Sequence, residues 1–181
     1  MDRPVPISSF QFEAIDSLFM ASGDLLDDRT GRRQLPRAFI GSSSEGLPVA
    51  KQLQLMLTDD LATVIWNQGT VFSLAQTTIE SLERAVLDYD YGIFVVTPDD
   101  RLEFRGTSRD IARDNVVFEL GLFVGKLTRH RTVVVQAEGV SLPSDLSGLT
   151  TARYDPHEKD LTKALGPATQ QIKSFLGRPR S

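Results

Sequence analysis

The stretch YGIFVVTPDD, Tyr91 to Asp100, decides the fold class because its central residues are all apolar. Ile93, Phe94 and Val95 leave no polar face, whereas a strand with one face in water alternates apolar and polar residues. A run that is apolar on both faces is typical of a central strand in a parallel sheet covered by helices. The polar residues TPDD then mark the end of this strand.

The segments on either side alternate between strand and helix patterns. Upstream, RAFIG and ATVIWN predict two strands, separated by a loop and helix over SSSEGLPVAKQLQLMLTDD. Downstream, DNVVFELGLFVGKL predicts a helix, RTVVVQA a fourth strand, PSDLSGLTTARYD a turn and a short edge strand, and TKALGPATQQIKSFL a closing helix. The segment RLEFRGTSRDIAR is interpreted as a long polar loop. This order predicts an α/β fold, with a five-stranded, mostly parallel sheet and helices on both faces.

The chain divides into three predicted parts. Residues 1–36 form an N-terminal extension or linker with a short helix, residues 37–177 form the domain, and residues 178–181 form a tail. The short helix is indicated by four apolar residues with helical spacing, namely Phe12, Ile15, Leu18 and Phe19. The extension either packs on the domain or connects it to a sensor module.

Composition argues against several classes of function. The formal net charge is -4 and no long basic run occurs, so nucleic-acid binding is not expected. The absence of cysteine argues against disulfides and thiolate chemistry, and no residues have metal-ligand spacing, so no metal site is expected. The sequence contains neither a membrane span nor a signal peptide, and we therefore expect a cytoplasmic protein that does not bind membranes.

One carboxylate, Glu119, lies in the middle of the apolar segment Asp114 to Leu127. Apolar residues on every helical face around it predict a buried helix. Since an ionised carboxylate is costly to bury, Glu119 is paired, protonated or kept for catalysis. A salt bridge to Arg113 and a catalytic acid facing the crevice at the carboxyl ends of the strands are the two alternatives. The spacing of Gly121 and Gly125 predicts close packing of another backbone against this helix.

The sequence GSSSEG, Gly41 to Gly46, follows the first strand and offers a phosphate site. Ser42, Ser43 and Ser44 supply hydroxyls, and such a turn supplies backbone N–H groups. The pattern is neither a dinucleotide-binding glycine motif nor a Walker A loop, so it is weak evidence alone. The alternative is that Ser43 or Ser44 caps the following helix.

Two further groups of candidates follow predicted strands. Trp66 and Phe72, in WNQGTVFSL, either stack on a nucleobase or nicotinamide ring or pack beneath their loop. Arg113 either meets a pyrophosphate or joins a surface network with aspartates. Asp114 is the predicted N-cap of the helix, and Asn115 lies one turn before Glu119, on the same helical face.

The ordered motifs FIGSSSEG, W-N, YGIFVVTPDD, RDNVVFELGLFVGKL and LPSDLSGLT resemble the TIR-like domains of bacterial predicted nucleotide-binding proteins, the anti-phage effectors of the CBASS and Pycsar systems. The resemblance covers about Arg37 to Phe175. It implies a flavodoxin-like TIR fold and an NAD+ hydrolase that cleaves the nicotinamide–ribose bond, with NAD+ as the substrate and no separate cofactor. Glu119, in the N-x-x-F-E-L-G helix, matches the catalytic glutamate of this family.

The same resemblance implies partners. It implies self-association through TIR–TIR contacts, in which the loop over residues 68–76 takes part, and an upstream cyclic-nucleotide sensor as a domain or separate protein. Two other functions stay open: a non-catalytic TIR scaffold, and an enzyme similar to nucleoside 2-deoxyribosyltransferases. The apolar surroundings of Glu119 argue against a pure scaffold, which could have leucine at that position.

Overall fold

The computed structural model of the protein describes residues 35–65, 82–83, 86–104 and 107–176. For residues 100–104 and 107–109 it describes the backbone alone. Its strands are β1 Arg37–Ser42, β2 Ala62–Ile65, β3 Tyr91–Val96, β4 Asp100–Phe104, β5 Thr107–Ile111, β6 Thr132–Ala137 and β7 Thr150–Tyr154. Its helices are α1 Leu47–Met56, α2 Asp114–Leu127 and α3 Leu161–Leu176, with a 3-10 turn at Ser144–Leu146. The predicted N-terminal helix, Trp66, Phe72 and the loop over residues 68–76 fall outside the described residues and stay predictions.

Five strands form one parallel sheet in the order β2-β1-β3-β6-β7. Counted within this sheet alone, the strands are arranged 2-1-3-4-5, which is the flavodoxin-like order. The predicted fold is therefore confirmed, with a sheet that is wholly rather than mostly parallel. In such a sheet the winding reverses between β1 and β3, and ligands bind outside the carboxyl ends of the strands at this point.

Helices cover both faces of the sheet. On one face, the ring of Phe123 from α2 lies 4.4 Å from that of Phe39 in β1 and 5.2 Å from that of Phe94 in β3, between ring centroids. On the other face, Tyr91 of β3 contacts Phe175 of α3 at 6.3 Å. Because side chains alternate along a strand, β3 is buried on both sides, as its apolar sequence predicts.

Two glycines make room for the aromatic side chains beneath α2. A Cβ on Gly41 would lie 2.7 Å from the ring of Phe94, and a Cβ on Gly92 would lie 2.8 Å from the ring of Phe123. These rings are fully buried, so they cannot move aside without disturbing the core. The absence of a side chain at both positions is what lets α2 lie close to the sheet.

Replacing either glycine by alanine is expected to destabilise the fold. Gly41→Ala and Gly92→Ala should each lower the free energy of unfolding by about 1–3 kcal/mol, the usual effect of overpacking a core. Gly121→Ala is the matched control, because its Cβ would meet no atom within 4 Å and alanine favours the helix. Urea unfolding of dilute protein measures all three, and a Gly92→Ala variant as stable as the wild type would contradict this account.

The segment predicted as a long polar loop is instead a β-hairpin. Strands β4 and β5 pair antiparallel, with Asp100 opposite Ile111 and Phe104 opposite Thr107. The hairpin is outside the parallel sheet, but the N–H of Ser141 donates to the carbonyl of Asp110 at 2.9 Å and attaches the hairpin to the segment after β6. The loop prediction was wrong because polarity excludes only a buried strand; a hairpin held by backbone pairing needs no apolar face.

Helix α2 is buried on one side only, so the prediction of a helix buried all round was wrong. Its buried residues are Val116, Glu119, Leu120 and Phe123. On the opposite side, the Phe118 side chain is 54% exposed. The predicted close packing at the two helical glycines was also wrong: both are exposed, and a Cβ at either would meet no atom within 4 Å, as far as the described chain is concerned.

Candidate functional site

Glu119 lies in the buried wall of α2, toward the carboxyl edge of the sheet. Helix α2 follows the hairpin that leaves the carboxyl end of β3, and it runs back toward the amino end, where Phe123 lies against Gly92. Glu119 precedes Phe123 by about one turn and is therefore closer to the edge where ligands bind in this fold. The side chain is only 5% exposed.

The carboxylate of Glu119 is buried, and no charged group among the described residues pairs with it. Burial raises its pKa from 4.5 to about 7. Among the described residues, none forms a hydrogen bond with its Oε2. Nη2 of Arg113 instead lies 3.1 Å from Oε1 of Glu45, so the predicted alternative of an Arg113–Glu119 salt bridge was wrong. An unpaired buried acid near the ligand-binding edge is an arrangement that favours catalysis over stability.

Ser43 is used to build the turn before α1. Its Oγ accepts a hydrogen bond from the N–H of Gly46 at 3.0 Å and lies 3.2 Å from Oγ1 of Thr97. The alternative that Ser43 or Ser44 caps this helix was wrong, because the N-cap is Gly46 and no side chain caps the helix. Ser43 instead bonds the N–H of the N-cap residue and so holds the turn before the helix. Ser44 is exposed, and its carbonyl accepts from the N–H of Leu47 at 3.4 Å.

Ser42 differs from its neighbours because its hydroxyl is unused. It is 8% exposed, and its Oγ has no hydrogen-bond partner in the described part of the chain. Alternation along β1 directs Ser42 to the face opposite Phe39, toward α1, where its Cβ lies 3.4 Å from the position of a Cβ on Gly46. Ser42 and Glu119 therefore lie on opposite faces of the sheet, and the three serines do not form a single cradle facing Glu119.

The start of α2 is joined to the loop after β1. The ion pair between Arg113 and Glu45 makes this connection, and both side chains are partly exposed. Arg113, with extended backbone, is the N-cap; the prediction of Asp114 as N-cap was wrong by one residue. Asp114 and Asn115 occupy the exposed first turn, where a carboxylate is favoured by the helix dipole.

Sequence reasoning missed three buried polar side chains at the carboxyl edge of the sheet, those of Thr97, Gln136 and Tyr154. Thr97 contacts Ser43, and Nε2 of Gln136 donates to the carbonyl of Val140. Burial, and secondarily the charge of Asp99, raises the pKa of Tyr154 to about 12, so its hydroxyl stays protonated. The available signal was a polar residue at or near the end of a strand: Thr97 follows β3, Gln136 is the last but one residue of β6, and Tyr154 ends β7.

The fold and this site define a flavodoxin-like α/β domain with a buried carboxylate, that of Glu119, near the carboxyl edge of its sheet. In the part of the chain that the structure describes, this carboxylate has no charged partner. The chain belongs to the family described as CAP12/Pycsar effector protein, TIR domain, whose profile matches residues 37–156. This is a family of effectors in bacterial anti-phage defence. No helix in the described ranges is long and apolar enough to cross a membrane.

Two curated relatives illustrate the match. The chain is 43% identical over 149 residues to the Pycsar effector protein BcPycTIR of Burkholderia cepacia, covering 80% of this chain and 49% of that protein. It is 42% identical over 123 residues to CD-NTase-associated protein 12 of Niabella drilacis, covering 66% of this chain and 39% of that protein. The chain thus spans half or less of the length of these relatives.

A solved structure of a diflavin flavoprotein A3 from Nostoc sp. is also similar, with 16% identity and a TM-score of 0.47 over 81% of this chain and 96% of that one. The assignment of the fold rests on the strand order itself.

Proposed function

We propose that this chain is an NAD+ hydrolase, the effector domain of an anti-phage system, which cleaves the bond between nicotinamide and ribose. The observation that carries the proposal is the buried carboxylate of Glu119, which is close to the ligand-binding edge and part of the motif NVVFELG. Its Oε2 has no hydrogen-bond partner among the described residues. A domain built only for assembly would gain stability from an apolar residue there.

The proposed reaction needs one carboxylate. The C1′–N bond of NAD+ breaks heterolytically, and its electron pair leaves with nicotinamide, which is then neutral and needs no proton. Positive charge develops on the ribose, and ionised Glu119 stabilises it or holds the ribose hydroxyls. Water then adds to C1′ and loses a proton, giving ADP-ribose.

The remaining candidates have proposed supporting roles. Arg113 would leave Glu45 and bind the pyrophosphate of NAD+, since both side chains of the Arg113–Glu45 ion pair are accessible to solvent. Asn115, one turn before Glu119, would meet a ribose hydroxyl. Trp66 and Phe72 stay candidates for stacking on a ring, and the free hydroxyl of Ser42 is a candidate donor on the other face of the sheet.

We further propose that the domain acts in the cytoplasm and becomes active by self-association under the control of a cyclic-nucleotide sensor. The printed names of the relatives, Pycsar effectors and CD-NTase-associated proteins, support the link to such signalling. The sensor would be another part of a longer protein or a separate partner.

The test is NAD+ consumption measured over a series of protein concentrations. We expect nicotinamide and ADP-ribose, with activity rising more steeply than protein concentration because neighbouring copies complete the site. Strict proportionality would contradict activation by self-association. Transfer of ribosyl to an added free base would instead indicate the deoxyribosyltransferase-like reaction, and no turnover at any concentration or with a crowding agent would favour a scaffold.

A further inference from the structure

The ion pair between Arg113 and Glu45 crosses the crevice in which this fold binds ligands. Glu45 lies in the loop after β1, and Arg113 lies at the start of α2, in the part of the chain that leaves β3. These two strands are neighbours at the point where the winding of the sheet reverses. Nη2 of Arg113 lies 3.1 Å from Oε1 of Glu45, so the ion pair joins the two sides of the crevice.

The helices that begin at this edge favour an anion there. Gly46 is the N-cap of α1 and Arg113 is that of α2, and no described side chain caps either helix. The N–H groups and the dipole of a helix start attract negative charge. The hydroxyl of Ser42, close to Gly46, is a further donor, since it is buried and has no hydrogen-bond partner among the described residues. The carboxylate of Glu45 is thus held where an anionic ligand would bind.

We propose that Glu45 competes with the substrate for Arg113, so that the pyrophosphate of NAD+ binds only by displacing the Glu45 carboxylate. The inference rests on the proposed function for the identity of the ligand, and it adds the residue that sets the affinity of the site. A guanidinium donates to carboxylate and to phosphate oxygens through the same N–H groups, so the two anions exclude each other. Glu45 therefore weakens substrate binding without taking part in the chemistry.

The ion pair is weak enough for such an exchange. The side chains of Arg113 and Glu45 are 36% and 50% exposed, and ion pairs that are this accessible to water contribute little to stability. A pyrophosphate carries more negative charge than a carboxylate and can accept parallel hydrogen bonds from a guanidinium. Arg113 therefore favours the pyrophosphate, and Glu45 lowers the affinity without closing the site.

The position of Arg113 along α2 fits a ligand that also reaches Glu119. Arg113 precedes Glu119 by six residues, which is about 9 Å along the helix axis. A ribose whose C1′ lies beside Glu119 can therefore extend its 5′-phosphate toward Arg113. Asp99, after β3, and Asp114, in the first turn of α2, add negative charge at the same edge. While Glu45 neutralises Arg113, this acidic edge opposes the binding of a polyanion.

Calorimetric titration with ADP-ribose tests the competition without any turnover, because ADP-ribose has the pyrophosphate of NAD+ but lacks nicotinamide. Glu45→Gln removes the competing charge and should bind ADP-ribose about 2- to 5-fold more tightly than the wild type, the factor that matches the strength of an exposed ion pair. Asp60→Asn is the matched control. Asp60 pairs with Lys173 at 2.7 Å and lies before β2, at the opposite edge of the sheet, so its loss should leave the affinity unchanged.

Arg113→Gln separates competition from a general change of charge. This variant should bind ADP-ribose at least about 10-fold more weakly, because a charged hydrogen-bond donor to the pyrophosphate is lost. Adding Glu45→Gln to Arg113→Gln should then give little further change, since the residue for which Glu45 competes is absent. An equal gain from Glu45→Gln in both backgrounds would show that Glu45 acts only through the overall charge of the edge, and would overturn the proposal.

A purely structural role of the ion pair predicts the opposite sign. If Glu45 were needed to hold the start of α2 in place, Glu45→Gln would bind ADP-ribose more weakly than the wild type. That result, unchanged affinity, or no binding of ADP-ribose to either protein would each overturn the proposal.

Turnover is a separate readout. Where NAD+ is hydrolysed, Glu45→Gln should lower KM and leave kcat unchanged, as expected when only binding of the non-reacting part of the substrate is altered. Tighter binding of ADP-ribose by Glu45→Gln, with no hydrolysis by either protein, would support the competition and contradict only the proposed function.

Discussion

Glu119→Gln is expected to lower the rate of NAD+ hydrolysis by at least about 10²–10³-fold, the usual loss when a group that stabilises transition-state charge is removed. Glutamine keeps the size of the side chain but cannot carry the negative charge that would oppose the developing positive charge on ribose. The protein should stay folded, because no described residue donates a hydrogen bond to Oε2. Nicotinamide release, followed by chromatography at high protein concentration, measures the effect.

Asp59→Asn is the matched control for this substitution. Asp59 is exposed in the turn between α1 and β2, at the opposite edge of the sheet, so the same exchange of carboxylate for amide should leave activity unchanged. Equal NAD+ loss in wild type and Glu119→Gln would move the chemistry to another residue.

The pH dependence of the wild type adds a further readout. Because burial raises the pKa of Glu119 to about 7, its carboxyl changes protonation state near neutral pH in the free enzyme. If the ionised form is the active one, kcat/KM should rise with pH, reach half its maximum near pH 7 and level off about one pH unit higher.

Glu119→Gln is also expected to make the folded protein more stable than the wild type above neutral pH. Burial raises the pKa of Glu119 from 4.5 to about 7, so between these values the native state holds a proton that the unfolded state has lost. Stability therefore falls as pH rises through this window. The loss from this one group is about 3 kcal/mol and is complete above about pH 7. The side chain introduced by Glu119→Gln cannot ionise, so this variant should not show that loss of stability.

Urea unfolding of wild type and Glu119→Gln at pH 4.5, 6 and 8 measures this difference. The difference in the free energy of unfolding between the two proteins should grow with pH in favour of the variant, whatever the other groups contribute to both. Asp59→Asn should follow the wild type throughout. A constant difference between pH 4.5 and 8 would show that Glu119 ionises as an exposed carboxylate does.

Much of the fold follows from apolar patterning alone. The run around Phe94 is apolar at every position, and only a central parallel strand buries such a run on both faces. The position of Glu119 was predicted for a related reason: an acid among apolar residues on a helix facing the sheet is buried wherever that helix packs. Both features depend on the hydrophobic effect, which the sequence displays directly.

Features set by tertiary contacts were not predicted correctly. Which side of α2 faces the sheet depends on Phe39 and Phe94, so the sequence of the helix could not show that Phe118 is exposed. Ser43 could equally have met a ligand, and only its bonds to Gly46 and Thr97 show that the turn itself uses it. The partner of Arg113 was likewise open, because Glu45 is close in space but far along the chain.

The β4–β5 hairpin makes the length of one segment independent of the rest of the domain. Asp100 and Ile111 are opposite each other, so the chain leaves the sheet after β3 and returns to α2 at nearly the same place. Residues added or removed at the tip would change neither the register of the parallel strands nor the position of Glu119. We therefore expect that a peptide tag or fluorescent label can be inserted between β4 and β5 with little disturbance of the domain.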